Sequence, residues 1–354
     1  MSDEAVEVRQ GEELDKEKVK EFLNDNIKDL SCDDISIKQY PGGFSNLTYQ
    51  IDCGGRQMVL RRPPKGADIK SAHDMGREYK ILRALKPLFP YCPTPLAYTE
   101  DESVMGCTFY VMEKIPGIIL RKDVPEGLDL TPDKAENLCK KLLDVHVELH
   151  SIDVEKNNLG FLGKPEGYVK RQVEGWSKRY VNAKTDDAPG FEKVMEWLKD
   201  KQPEDTDSPT IIHNDYKFDN VVLDQNDPMR IIGVLDWEMA TYGDPLMDLG
   251  GSLGYWVDRN DPDEFKMIKT MPTDIEGALT RNELIERYGE KTGRNMDNFD
   301  FYLCFGTFRL AVIAQQIYKR FFLGYTKDKR FGMLIHAVNI LEKVSNSIID
   351  NSKL

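Results

Sequence analysis

Apolar and polar positions along the chain change period once, near residue 117. Before that point, Leu14, Val19, Phe22, Leu23 and Ile27 form a helical stripe. Three strand-like runs follow at 35–40, 44–51 and 56–62. They are punctuated by Pro41-Gly42-Gly43 and by Cys53-Gly54-Gly55, both turn signals. Met75, Tyr79, Leu82 and Leu85 predict a helix over 72–85, and 93–101 with 107–115 predict a further strand pair. After Pro116-Gly117 the spacing becomes helical. Thr131 with Pro132 opens a helix running to His150, as an N-cap followed by proline at the first helical position. Further helices are predicted at 167–180, 191–199, 281–288, 298–322 and 331–349, with a polar loop at 200–209. Two short strands flank "HNDYKFDN", and "MRIIGVLDWE" follows them. The pattern predicts an α+β fold of two lobes, small and β-rich over 1–116, larger and mostly helical over 117–354. The hinge falls near 113–117.

A chain of 354 residues suits two such parts, and 40% hydrophobic content supports real cores. The net charge of −13 argues against a nucleic-acid binder, which needs a basic face. No apolar run approaches the roughly 20 residues of a membrane span. The six cysteines, at 32, 53, 92, 107, 139 and 304, contain no C-x-x-C pair. Their spacing matches no zinc site and no disulfide framework, which predicts a reducing, cytoplasmic setting. Oligomeric state leaves no trace in the sequence.

Two polar clusters carry the candidate chemistry. The first is "IIHNDYKFDNVVLD", with His213, Asp215 and Asn220; the second is "VLDWEMATYGDPLMDLG", with Asp236, Asp244 and Asp248. Either alone reads as strand ends and turns. Together, behind a β-rich lobe, they fit a metal and a base. Asp and Asn oxygens are hard ligands suited to Mg²⁺, and a carboxylate free of metal can accept a proton from a hydroxyl. Asp215 is then the base, and Asn220 and Asp236 the metal ligands.

These residues resemble the aminoglycoside phosphotransferase and choline kinase family, which has a protein-kinase-like fold. "HNDYKFDN" is similar to its catalytic loop and "LDWE" to its counterpart of the kinase Asp-Phe-Gly. The resemblance implies Asp215 as catalytic base, Asn220 and Asp236 on magnesium, and His213 as a structural residue. It places Gly42, Gly43 and Ser45 of "GGFSNLTY" over the ATP phosphates. Arg61 occupies the position of the phosphate-binding lysine, with Glu78 as its ion-pair partner. Glu113 through its carbonyl and Ile115 through its N–H would meet adenine. Two departures stand out: Arg61 replaces lysine and Asn214 replaces glycine, both as in choline kinases. The stretch 149–180, "LHSIDVEKNNLGFLGKPEGYVKRQVEGWSKRY", looks like the kinase-like modules fused to acyl-CoA dehydrogenases.

The implied function is a small-molecule kinase using ATP and Mg²⁺ on a hydroxyl acceptor, with neither nucleic acid nor membrane as partner. That resemblance, with the basic run Lys319, Arg320, Lys327, Lys329 and Arg330, points to a hydroxyacyl-CoA or hydroxy acid. The alternatives are an aminoglycoside or choline-type kinase, a nucleotide-binding pseudokinase, and a metal-dependent hydrolase built on His213, Asp215, Asp236 and Asp244. Other features read as structural. His146 and His150 lie at a packed helix end, because the glutamate of "HVELH" is misplaced for a zinc protease. Asp244 and Asp248 brace loops, and the four tryptophans are core or wall residues.

Overall fold

The computed structural model describes residues 4–41, 46–64 and 74–354. In chain order the elements are α1 (Lys16–Asn26), β1 (Ile35–Gln39), β2 (Leu47–Cys53), β3 (Arg56–Arg62), α2 (Met75–Leu85), β4 (Pro95–Thr99) and β5 (Phe109–Glu113). Then come α3 (Pro132–His150), α4 (Tyr168–Ala183), α5 (Glu192–Asp200), β6 (Thr210–Ile212), β7 (Val221–Leu223), β8 (Ile231–Val234) and β9 (Thr241–Gly243). The chain closes with α6 (Pro245–Gly254), α7 (Asp263–Lys266), α8 (Arg281–Thr292), α9 (Phe299–Phe322), α10 (Lys329–Gly332) and α11 (Leu334–Asn351). Two compact units divide these elements. One holds Met1–Ile119 with Val222–Glu238; the other holds Leu120–Val221 with Met239–Leu354.

The first unit is built on an antiparallel sheet of order β1-β2-β3-β5-β4. β2 alternates buried and half-buried positions, as period-2 patterning demands. Val19, Phe22 and Leu23 of α1 pack on one face, with Phe22 edge-on to Phe109 at 4.8 Å. α2 starts at Asp74, whose carboxylate accepts from Arg77 N at 2.9 Å. Its buried stripe includes Glu78, a carboxylate where the pattern calls for an apolar residue.

One expectation fails in this unit. Cys32 and Cys53 form a disulfide, with Cα atoms 5.2 Å apart. Antiparallel pairing sets Ile35 opposite Cys53, and Cys32 lies just upstream of Ile35. The two cysteines are joined by strand register, which spacing along the chain does not encode. Gly117, at the change of pattern, has a clear steric reason. A Cβ there would collide with Leu223 O and Val222 Cγ1, where Ile118 and Leu223 exchange backbone hydrogen bonds.

The second unit is organised by α9, 24 residues long and buried along much of its length. α6 crosses it at glycines: a Cβ on Gly306 would overlap Gly250 O. The helices read from the sequence pattern do not include 245–254, whose glycines carry low helix propensity. Close approach to α9 overrides that propensity. The strands flanking "HNDYKFDN" also pair differently from a simple hairpin: β6 pairs with β9, and β7 with β8. Among the described residues, no helix is long and apolar enough to cross a membrane.

Candidate active site

In the second unit, β6 ends at Ile212 and the chain enters the loop carrying Asp215. The loop is held from behind by Asp248 of α6. Its carboxylate accepts from His213 N and Asn214 N, both at 2.7 Å, and from His146 Nε2 at 3.0 Å and His150 Nε2 at 3.1 Å. Burial alone would raise the Asp248 carboxyl; His146 and His150 outweigh it and hold it well below the usual range. Burial lowers His150 to about 4, with His146 adding to the effect, so its ring is neutral. Nδ1 of that ring then accepts from Tyr288 OH at 2.8 Å while Nε2–H donates to Asp248. His146, His150 and Asp248 could also gather a metal, but their ligand atoms already satisfy one another and the loop backbone.

With its backbone so pinned, the loop turns through Asn214, which adopts φ 64°. That left-handed conformation is uncommon outside glycine, and asparagine tolerates it best among bulkier residues. Asp215 follows. Its Oδ2 accepts from Lys217 Nζ at 2.5 Å and from Asn220 Nδ2 at 2.8 Å. Burial works against the Lys217 charge, but Tyr255 and Asp215 outweigh it and raise its pKa. Because Asn220 donates through Nδ2, also to Asp215 O at 2.8 Å, its Oδ1 carries no hydrogen bond among the described residues. Asp244 serves elsewhere, as the N-cap of α6, where it accepts from Leu246 N at 2.8 Å.

The first unit carries a second charged cluster. Arg61, on β3 and 7% exposed, forms an ion pair with Glu78 of α2, which is 2% exposed. It also reaches Asp236 Oδ1 and Glu238 Oε2, each at 3.1 Å. Asn46 Nδ2 donates to the same Glu238 oxygen at 2.8 Å. Burial opposes the Arg61 charge, yet Glu78, Tyr110, Asp236 and Glu238 more than offset it. Burial pushes the Glu78 carboxyl up and Arg61 pulls against it. A guanidinium does not deprotonate in proteins, so Arg61 stays charged at neutral pH. Asp236 stands at φ 67°, a second left-handed non-glycine residue at a chemically loaded position. Glu113 accepts from Thr94 N at 2.8 Å, while Ile115 N makes no hydrogen bond among the described residues. Gly42, Gly43 and Ser45 lie outside the described residues.

Comparison with known proteins decides the family. A family model described as phosphotransferase enzyme family (APH) matches residues 36–281. The chain belongs to this family. The human "Acyl-CoA dehydrogenase family member 11" is 33% identical over 325 residues, which is 90% of this chain and 41% of that protein. The chain thus spans less than half of the curated relatives it matches. A Ralstonia eutropha chain, provisionally assigned as an aminoglycoside phosphotransferase, superposes with a TM-score of 0.81 at 28% identity, covering 97% of this chain and 100% of the other. The complex of APH(2")-IIIa with GDP and kanamycin superposes at 0.59 with 16% identity, covering 94% and 98%. The α+β, protein-kinase-like fold expected from sequence is therefore the observed one.

Sequence reading missed three participants. Lys217 on Asp215 and Glu238 on Arg61 sit inside the quoted motifs, but only folding shows whom they meet. The third is a basic cleft on α4 and α9, away from the run at 319–330. Of that run, Lys319 donates to Asn182 O and Arg330 pairs with Asp328.

Proposed function

We propose that this phosphotransferase moves the γ-phosphoryl group of ATP to a hydroxyl of a small acid or acyl acceptor, such as a hydroxy acid or hydroxyacyl-CoA. The observation that carries the reading is the Asp215 carboxylate, aimed by Lys217 and Asn220 on a loop whose backbone Asp248 pins. In this role Asp215 accepts the proton of the acceptor hydroxyl as its oxygen attacks phosphorus, and Lys217 steadies the carboxylate orientation. The Arg61–Glu78 pair supplies a fixed cation for the α- and β-phosphates. Ile115 N–H would donate to adenine, and Gly42, Gly43 and Ser45 would lie over the phosphates.

The donor set suits magnesium. Asn220 Oδ1 is unengaged among the described residues and Asp236 offers a carboxylate, both hard oxygen ligands. Bound Mg²⁺ would neutralise charge on the phosphate oxygens. A curated relative named for an acyl-CoA dehydrogenase supports the acyl acceptor, and a family neighbour in complex with GDP supports a nucleotide donor. ADP or GDP release, measured with Mg²⁺ and a panel of hydroxyacyl-CoAs, hydroxy acids, choline and kanamycin, tests the proposal. Release confined to choline or kanamycin overturns the acceptor class; no release with any acceptor overturns the kinase reading.

A further inference from the structure

Among the described residues, Arg309 is a buried cation that lacks an anionic partner. It lies on α9, 4% exposed, with no carboxylate in ion-pair range. It donates instead to Met239 Sδ, a weak acceptor, at 3.3 Å. Its guanidinium carbon sits 5.2 Å from the Trp176 ring centre. Arg179 of α4 lies over the same ring at 4.5 Å. Desolvation, and then Arg309 itself, lower the Arg179 pKa, as expected for crowded like charges.

These groups line a cleft of about 270 Å³, shared with Lys164, Tyr168 and Arg171. Arg171 donates to the Glu166 and Lys164 carbonyls and, among the described residues, has no carboxylate partner either. Four cations thus face one cavity with no acid among its lining residues. A buried guanidinium is stable when paired or strongly hydrogen-bonded; here the described protein groups supply neither. The cleft reaches the catalytic loop at Asn214, whose Oδ1 accepts from Tyr168 OH at 3.1 Å and which directly precedes Asp215.

We infer that this cleft is an anion subsite: Arg309, Arg179 and Arg171, backed by Trp176, bind a carboxylate or phosphate group of the acceptor and so present its hydroxyl to the Asp215 loop. The inference rests on the kinase reading for the word acceptor, but the anion site itself stands on the cleft alone. Guanidinium forks match carboxylate and phosphate bidentately. A cationic sugar would instead meet like charge.

Calorimetric titration with 3-hydroxybutyrate, 3-hydroxybutyryl-CoA and 1,3-butanediol tests this on the whole chain. The acid or its CoA ester binds, and the neutral diol binds at least about tenfold more weakly, as loss of a charge-assisted hydrogen bond implies. Arg179→Gln and Arg171→Gln each weaken the anionic ligand by about tenfold or more. Both sit on the exposed side of α4, so they remain informative if Arg309→Met does not fold. A loss shared by the free acid identifies the carboxylate as the bound group; a loss confined to the CoA ester identifies a phosphate. Diol binding as tight as both the acid and the CoA ester, or unchanged affinity for both anionic ligands in both variants, overturns the inference. So does an equal loss of ATP affinity, which would make nucleotide phosphate the occupant. ADP release serves as a separate readout. Acid binding without ADP release from any hydroxyl sinks the kinase reading and leaves the subsite. Equal release with the diol, the acid and the CoA ester sinks the subsite and leaves the kinase.

Discussion

The two units bury charge in opposite ways. In the first, a cation, Arg61, is met by three carboxylates. In the second, an anion, Asp248, is met by two backbone N–H groups and two imidazoles. The first arrangement balances charge with charge, so losing one member leaves an uncompensated ion in low dielectric. The second meets an anion with hydrogen-bond donors, and its product is geometry: a loop backbone pinned beneath Asp215. The lesson is a division of labour, with a positioned cation in one unit and a positioned carboxylate, Asp215, in the other. Arg309 departs from both schemes, since its balancing anion is to come from outside.

The largest effect should fall on Asp215, the proposed base. Asp215→Asn keeps the hydrogen bonds of the loop and removes proton acceptance, so turnover should drop by about 10²–10⁴-fold while Mg-ATP still binds. Steady-state ADP release alongside nucleotide titration checks this, and wild-type turnover would mean that Asp215 is not the base.

Breaking the charge-for-charge cluster should be costly to folding. Glu78→Ala strips the fully buried partner from Arg61 and should destabilise by about 3–5 kcal/mol, read by denaturant unfolding. A loss below about 1 kcal/mol, the range of an exposed pair, would show that Asp236 and Glu238 suffice to hold Arg61.

The Asp248 cluster predicts an acid-sensitive second unit. His150 titrates near 4 when folded against an ordinary 6.5. Below 6.5 the unfolded chain therefore takes a proton that the folded chain refuses. Stability is complete above that pH and is lost as pH falls toward 4, on the order of 3 kcal/mol from this group. Asp248, held well below its usual range, stays ionised through the window, and His146, Tyr288 and Arg294 are the other titratable groups nearby. A melting temperature that is flat between about pH 7 and 5, or an unaltered slope in His150→Gln, would count against the neutral imidazole.

The smallest effect belongs to Glu238, 21% exposed at its side chain. Glu238→Gln should cost under about 1 kcal/mol, because a partly solvated ion pair is screened. A cost matching Glu78→Ala would erase the distinction between the inner and outer partners of Arg61.

Much of this was legible in the chain. The helices from Lys16, Pro132, Tyr168 and Phe299 follow apolar periodicity and cap residues, and five strands follow alternation between turn glycines. The candidate base, metal ligands and Arg61–Glu78 pair were readable from the motifs, and the fold pairs Arg61 with Glu78. What failed did so for nameable reasons. The Cys32–Cys53 bond depends on strand register. The α6 helix depends on glycines that lower propensity yet permit close contact with α9.

Sequence by itself determined which residue types could do chemistry and in which local element each sits, because periodicity, caps and turn residues act over a few positions. Only tertiary structure decided which charges meet. Glu238 and Lys217 become partners of Arg61 and Asp215 through loop geometry, Asp248 braces a loop 34 residues upstream of it, and α4 and α9 bring Arg179 and Arg309 to one tryptophan. Electrostatics acts through space at a few ångströms, and separation along the chain carries no record of that distance.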